Sequence, residues 1–283
     1  MPLFLRSLPL SFGTLWHYIF VLPIALVFAL PLMVLTLIPL VGSLISVTIF
    51  TFIAVLGYRC ALTAYGKGNE PAVEKLVKSS MFFGVINTIV ALVLALLCAG
   101  LVFGLAWIGV EWNVAAPWGD AIPMVPSLAV ILFFLLNGLY TCAIAVPMTA
   151  ASFEATPNGR SADPLFGIGR GMFSLALIWI LWLVGTYFSG LIQFMIEQLT
   201  YILYLALGQY LTLTPIKVPQ YNLVGVLLSM LFLFWGTCWY YATAIIAWSD
   251  EVTAREARRV VTREVSRMSA DDLRALRESR MQK

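Results

Sequence analysis

The stretch G-Y-R-C-A-L-T-A-Y-G-K-G-N-E-P-A-V-E-K-L-V-K-S-S-M-F, from Gly57 to Phe82, decides how this chain is organised. It carries the tail of one apolar run, a short basic connector and the head of the next run. Arg59, Lys67, Lys75 and Lys78 supply the charge. In a membrane protein, that charge fixes the side on which a connector lies. A looser version returns between Gly138 and Phe173. There Cys142-Ala143 echoes Cys60-Ala61, and Arg170-Gly-Met-Phe echoes Lys78-Ser-Ser-Met-Phe.

Composition agrees with a membrane setting. The chain is 61% hydrophobic and 11% charged, with a mean hydropathy of +0.93. Soluble domains hold roughly 45–50% apolar and about 25% charged residues. The four cysteines (Cys60, Cys98, Cys142 and Cys238) all fall in or at the ends of apolar runs, and His17 is the sole histidine. No C-x-x-C pair or Cys/His cluster exists, so a zinc or haem site is not expected. The cysteines read as small apolar packing residues. The apolar stretch after Arg6 is too long for the core of a signal peptide and reads as a retained first span.

From Leu10 to Tyr58 the sequence holds no Asp, Glu, Lys or Arg. A helix of that length would reach about 74 Å, whereas a hydrocarbon core is about 30 Å thick. The chain must therefore turn, and Pro39 to Ser43 supplies the breakers. Six spans are expected, at about 13–37, 43–63, 82–108, 127–149, 171–194 and 223–248. Pro23 and Pro31 predict kinks in the first. Glu70 to Lys78 reads as a separate amphipathic surface helix with Val73, Leu76 and Val77 towards lipid. Trp107, Trp112 and Trp118 surround a proline-rich loop, an interfacial signal. Residues 199–213 are too short to span and read as a helix in the outer interface.

The expected fold is therefore all-α: a polytopic membrane protein with a transmembrane domain over 1–250 and a charged helical tail over 251–283. Nine of the 17 basic residues follow Asp250. With six spans, one face collects Arg6, both connectors and the tail, and Lys217 alone lies on the other. The Lys/Arg excess marks the cytoplasmic side, so both termini are expected there. The expected location is a bacterial inner membrane, with membrane lipids as the first partner.

The spans fall into three hairpins of one orientation, 1–63, 64–150 and 151–250. Their return spans end in Tyr58-Arg-Cys-Ala, Tyr140-Thr-Cys-Ala and Cys238-Trp-Tyr-Tyr-Ala. That pattern suggests a triplicated hairpin. Mitochondrial carriers also have three hairpins, but their P-x-[DE]-x-x-[KR] motif is missing near Leu37, Trp107 and Gln193. With its connectors Lys78-Ser-Ser-Met-Phe and Arg170-Gly-Met-Phe, the chain resembles poorly characterised bacterial six-helix families related to the membrane domain of glycerophosphodiester phosphodiesterases. The resemblance implies a membrane-embedded accessory module without the catalytic domain.

Polar groups within the spans are few. His17, Asn87, Asn137 and Gln193 are the candidates to line a pathway, although amides in spans more often bond across helices. The glycine-rich Gly167-Ile-Gly-Arg-Gly171 follows no strand and lacks the G-x-x-x-x-G-K-[ST] spacing of a phosphate loop. No general acid/base set is evident, so neither an enzyme nor a cofactor is expected. In the tail, Arg255, Arg258, Arg259, Arg263 and Arg267 are candidates to face anionic lipid or a protein partner. The interleaved acids argue against nucleic acid. The leading expectation is a non-enzymatic accessory, assembly or scaffold subunit. The alternative is a permease or channel for a small or lipid-like solute.

Overall fold

The computed structural model describes residues 2–34, 41–68, 71–108, 113–115, 121–156, 163–182, 184–185 and 223–267. Gln193, Lys217, the expected interfacial helix at 199–213 and the chain after Arg267 lie outside them. The described elements are α1 (Leu3–Arg6), α2 (Leu8–Val34), α3 (Val41–Ala64), α4 (Val73–Trp107), β1 (Asn113–Ala115), β2 (Ala121–Pro123), α5 (Met124–Glu154), α6 (Met172–Trp182) and α7 (Leu223–Arg267). Five helices (α2, α3, α4, α5 and α7) are long and apolar enough to cross a membrane. Exposed Leu92, Leu96, Leu97 and Phe103 give α4 an outward surface suited to lipid rather than water.

Three features differ from the sequence expectations. The loop after α4 contains an antiparallel ribbon, with Val114 opposite Ile122. The amphipathic segment at Glu70 to Lys78 is not a separate surface helix, because α4 starts at Val73 and runs on without a break. Leu76 turns into the core, 2% exposed, while Val73 and Val77 stay outside. Finally, α7 continues past Asp250 through Arg267 as one helix of 45 residues, about 68 Å long. As far as Arg267, the charged segment is thus a continuation of the same helix.

Helices α3, α5 and α7 meet one another at the centre. The core where they meet is built from Val55, Tyr58 and Ala61 of α3, Cys142, Ala145 and Val146 of α5, and Cys238, Tyr241 and Ala244 of α7. The outer helices fill the grooves between them. α2 contacts α3 and α7, and α4 contacts α3 and α5. α6 sets Trp179 against Gly138 of α5 and Trp182 against Gly236 of α7. Lipid is as apolar as these side chains, so close packing of small residues has to hold such a bundle. All four cysteines are buried and unpaired, as packing residues should be.

One contact explains the glycine-rich connector. Pro147 lies inside α5 and has no N–H to give to the carbonyl of Ala143. The Gly169 N–H donates to that carbonyl at 3.0 Å. The connector reaches it through tight turns, with Gly167, Gly169 and Gly171 at positive φ. A side chain at Gly167 would meet Val146, and one at Gly171 would meet Ala247. These glycines let the backbone approach α5 and α7 closely.

Gly57 offers a direct test of the core. A Cβ there would run into the ring of Tyr241, whereas one at Gly100 on α4 meets nothing within 4 Å. Gly57→Ala is expected to destabilise the protein by about 1–3 kcal/mol through overpacking. Gly100→Ala should be neutral or stabilising by up to about 1 kcal/mol. Thermal unfolding of both variants in mild detergent checks the contrast.

Candidate functional site

A cavity of about 420 Å³ lies among α3, α4, α5, α6 and α7. Helix α3 gives it one continuous face, Val47, Phe50, Thr51, Ala54 and Tyr58, spaced as a single helical stripe. From α5 come Thr141, Ile144 and Met148, and from α6 Ile178, Trp179 and Trp182. α7 adds Gly236, Thr237, Tyr240 and Tyr241, and α4 adds Asn87. A few placed polar groups in a largely apolar wall are the usual make-up of a small-molecule site.

The polar groups are already oriented. The Tyr140 hydroxyl donates to Asn87 Oδ1 at 3.0 Å, tying α5 to α4. The Tyr240 hydroxyl donates to the Thr141 carbonyl at 3.0 Å. Thr51, Thr141 and Thr237 each donate to a carbonyl one turn back, those of Val47, Asn137 and Leu233. Ring packing holds the tyrosines, with Tyr58 and Tyr241 edge to face at 4.8 Å and Tyr18 on Tyr241 at 5.8 Å.

Of the intramembrane candidates among the described residues, Asn87 alone lies on this cavity, and Gln193 falls outside those residues. Asn137 is half-buried on α5 and offers its backbone carbonyl to Thr141. His17 is half-buried on α2, about 14 Å along the helix from Leu8. Neither lines the cavity. The threonines, tyrosines and tryptophans that do are not distinctive in the sequence. They sit in helices apolar on every face, so periodicity does not single out an inner stripe.

A second cluster gathers the basic residues at one end of the bundle. Arg59, near the C-terminal end of α3, does not reach the surface. It is 6% exposed, and Nη1 donates to the Ser152 carbonyl at 2.8 Å. Ser152 lies in the last turn of α5, whose free carbonyls carry partial negative charge. Lys75 Nζ donates to Thr156 O at 2.7 Å and the Ala72 N–H to Ala155 O at 2.8 Å, completing that cap. Arg59 Nη2 is buried with no partner among the described residues.

Around the first turns beyond Trp248, α7 is tied in the same way. Arg6 pairs with Asp250 at 3.0 Å. Glu251, 8% exposed, accepts from Arg255 at 2.9 Å and lies 3.8 Å from Arg170. The Arg255 guanidinium also stacks 4.1 Å from the centre of the Phe166 ring, and Lys67 lies 5.2 Å from that of Trp248. Of the tail arginines named from the sequence, Arg255 is thus engaged within the fold. Arg258 and Arg259 are exposed, while Arg263 and Arg267 fall on the last turns of α7.

No protein family, curated protein or solved structure matches this chain.

Glu251 is the acid most embedded in this end. Glu251→Ala is expected to cost about 1.5–3 kcal/mol, the range for a charge-assisted bond lost in a buried setting. Glu256→Ala, on the exposed side of the same helix, should stay within about 0.5 kcal/mol. Denaturation of the two variants side by side checks this.

Proposed function

We propose that this chain is a six-pass, non-enzymatic protein of a bacterial inner membrane that binds a small or lipid-like molecule inside its bundle. The observation that carries the proposal is the cavity, which joins tryptophan, tyrosine and aliphatic walls to a few fixed hydroxyls and the Asn87 amide. Such a lining binds and orients a guest. The span that brings the five candidate helices to six in this reading is the fifth in chain order, 171–194, which opens with α6. Both termini lie in the cytoplasm, with the basic end of the bundle facing the same way.

A second reading, an accessory or assembly subunit, is favoured by α7. Its residues beyond Glu251 extend the helix by about 24 Å. Beyond Arg255, which the fold engages, Arg259, Arg263 and Arg267 recur every fourth residue in the sequence, the spacing of one helix ridge. This ridge suits anionic lipid headgroups or an acidic partner.

The test of the cavity is native mass spectrometry of the protein released from mild detergent. A non-covalent apolar adduct is expected at one per chain. Ala54→Trp, which fills the space from the α3 side, should abolish the adduct while the protein stays monodisperse. An Ala54→Trp protein that retains its adduct would exclude the cavity as the binding place. Orientation is checked separately with a membrane-impermeant thiol reagent on single-cysteine chains. Lys217→Cys should react from the periplasmic side and Arg258→Cys from the cytoplasmic side.

A further inference from the structure

The donors and acceptors that face the cavity define its guest more narrowly. Asn87 receives the Tyr140 hydroxyl on Oδ1, so the amide has its two N–H groups left to give. The oxygens behave the other way round. Thr51, Thr141 and Thr237 have committed their protons to helix carbonyls, and Tyr240 has committed its proton to Thr141 O. Each retains lone pairs only. The polar lining therefore offers the Asn87 amide, the Tyr58 and Tyr241 hydroxyls and the Trp179 indole N–H as donors beside several oxygens that can only accept. A guest that matches it carries a hydroxyl to donate and an ester, ether or carbonyl oxygen to accept.

Charge is the second constraint. Among the described residues, no Lys, Arg, His, Asp or Glu lines the cavity. A phosphate or ammonium headgroup placed there would be desolvated without a counter-ion, which is heavily penalised. The mouth is the third. Phe50 lines the cavity and is yet 66% exposed on the outer surface of α3. Acyl chains can leave past it into the bilayer while the polar end stays inside. The volume, about 420 Å³, is in the range for a headgroup region with the first part of its chains rather than a whole lipid.

Building on the cavity reading above, we infer that the guest is an uncharged lipid bearing a free hydroxyl next to an ester oxygen, the chemistry of a partial glyceride. The hydroxyl donates to one of the threonine or Tyr240 oxygens. The ester oxygen accepts from the Asn87 amide. The Trp179 and Trp182 rings cover the glycerol and the upper chain.

The experiment uses the full chain, stripped of lipid in detergent, with tryptophan fluorescence and native mass spectrometry as readouts. The probes are dioleoylglycerol and dioleoyl phosphatidate, which share their chains and differ in the headgroup. Dioleoylglycerol is expected to bind at least tenfold more tightly than phosphatidate. Asn87→Leu should weaken dioleoylglycerol about tenfold. Thr237→Val, nearly isosteric and lacking the acceptor oxygen, should weaken it several-fold and serves if Asn87→Leu fails to fold. Equal or tighter binding of phosphatidate would overturn the neutral-lipid assignment and leave the cavity reading standing. Unchanged dioleoylglycerol affinity in a folded variant would overturn the donor–acceptor match. Failure of both probes to bind would remove this assignment, while retention of the native adduct in the unstripped protein would show that the cavity reading itself survives.

Discussion

The close approach of α3, α5 and α7 is the contact on which the rest of this structure depends. Inside a bilayer no hydrophobic force drives one apolar helix onto another, so association rests on how near the backbones come. Each central helix has a glycine that makes room for an aromatic ring of a neighbour: Gly57 for Tyr241, Gly138 for Trp179 and Gly236 for Trp182. A buried cysteine follows each glycine within a turn or so, at Cys60, Cys142 and Cys238. The short echoes in the sequence are therefore places where the three central helices solve the same packing problem. The outer helices α2 and α4 sit in grooves around this trio.

Close packing creates a second demand, because polar backbone groups buried between helices must find partners. Pro147 breaks one hydrogen bond of α5, and Gly169 closes it from a connector. The end of α5 is capped by Arg59 from the end of α3 and by Lys75 and the Ala72 amide at the start of α4. Residues that look like surface charge or loose loop in one dimension therefore complete helix α5 in three.

This explains what could be read from the sequence and what could not. Hydropathy alone places α2, α3, α4, α5 and the start of α6, since length and apolar content decide insertion. The burial of the cysteines also follows from their surroundings in the sequence. The fate of Arg59 does not, because its compensation comes from a helix terminus 93 residues away. Leu76 and the turn of Gly167 to Gly171 fail for the same reason, since each is placed by a tertiary neighbour. Of the polar residues, Asn87 was identifiable as a deep amide. The cavity around it was hidden, because Thr51, Thr237 and the tryptophans resemble any other residues of an apolar span.

The cavity and the basic end are joined by α7. Gly236, Thr237, Tyr240 and Tyr241 form part of the cavity wall, and Asp250, Glu251 and Arg255 anchor the other end of the same unbroken helix. Their members lie about 14–29 Å apart along the helix. A helix of this kind transmits rotation, since turning one residue position carries every side chain through about 100°. The pairs Arg6–Asp250 and Arg170–Glu251 come from two different chain segments and grip adjacent positions. Together with the packing of α7 on α2, α3 and α5, they favour the rotation in which Tyr240 faces Thr141 and Tyr241 is seated over Gly57. Surface ion pairs contribute little to stability on their own. Here their effect is on register, because the wall of the cavity keeps its donors and acceptors in place only while α7 holds that one rotation.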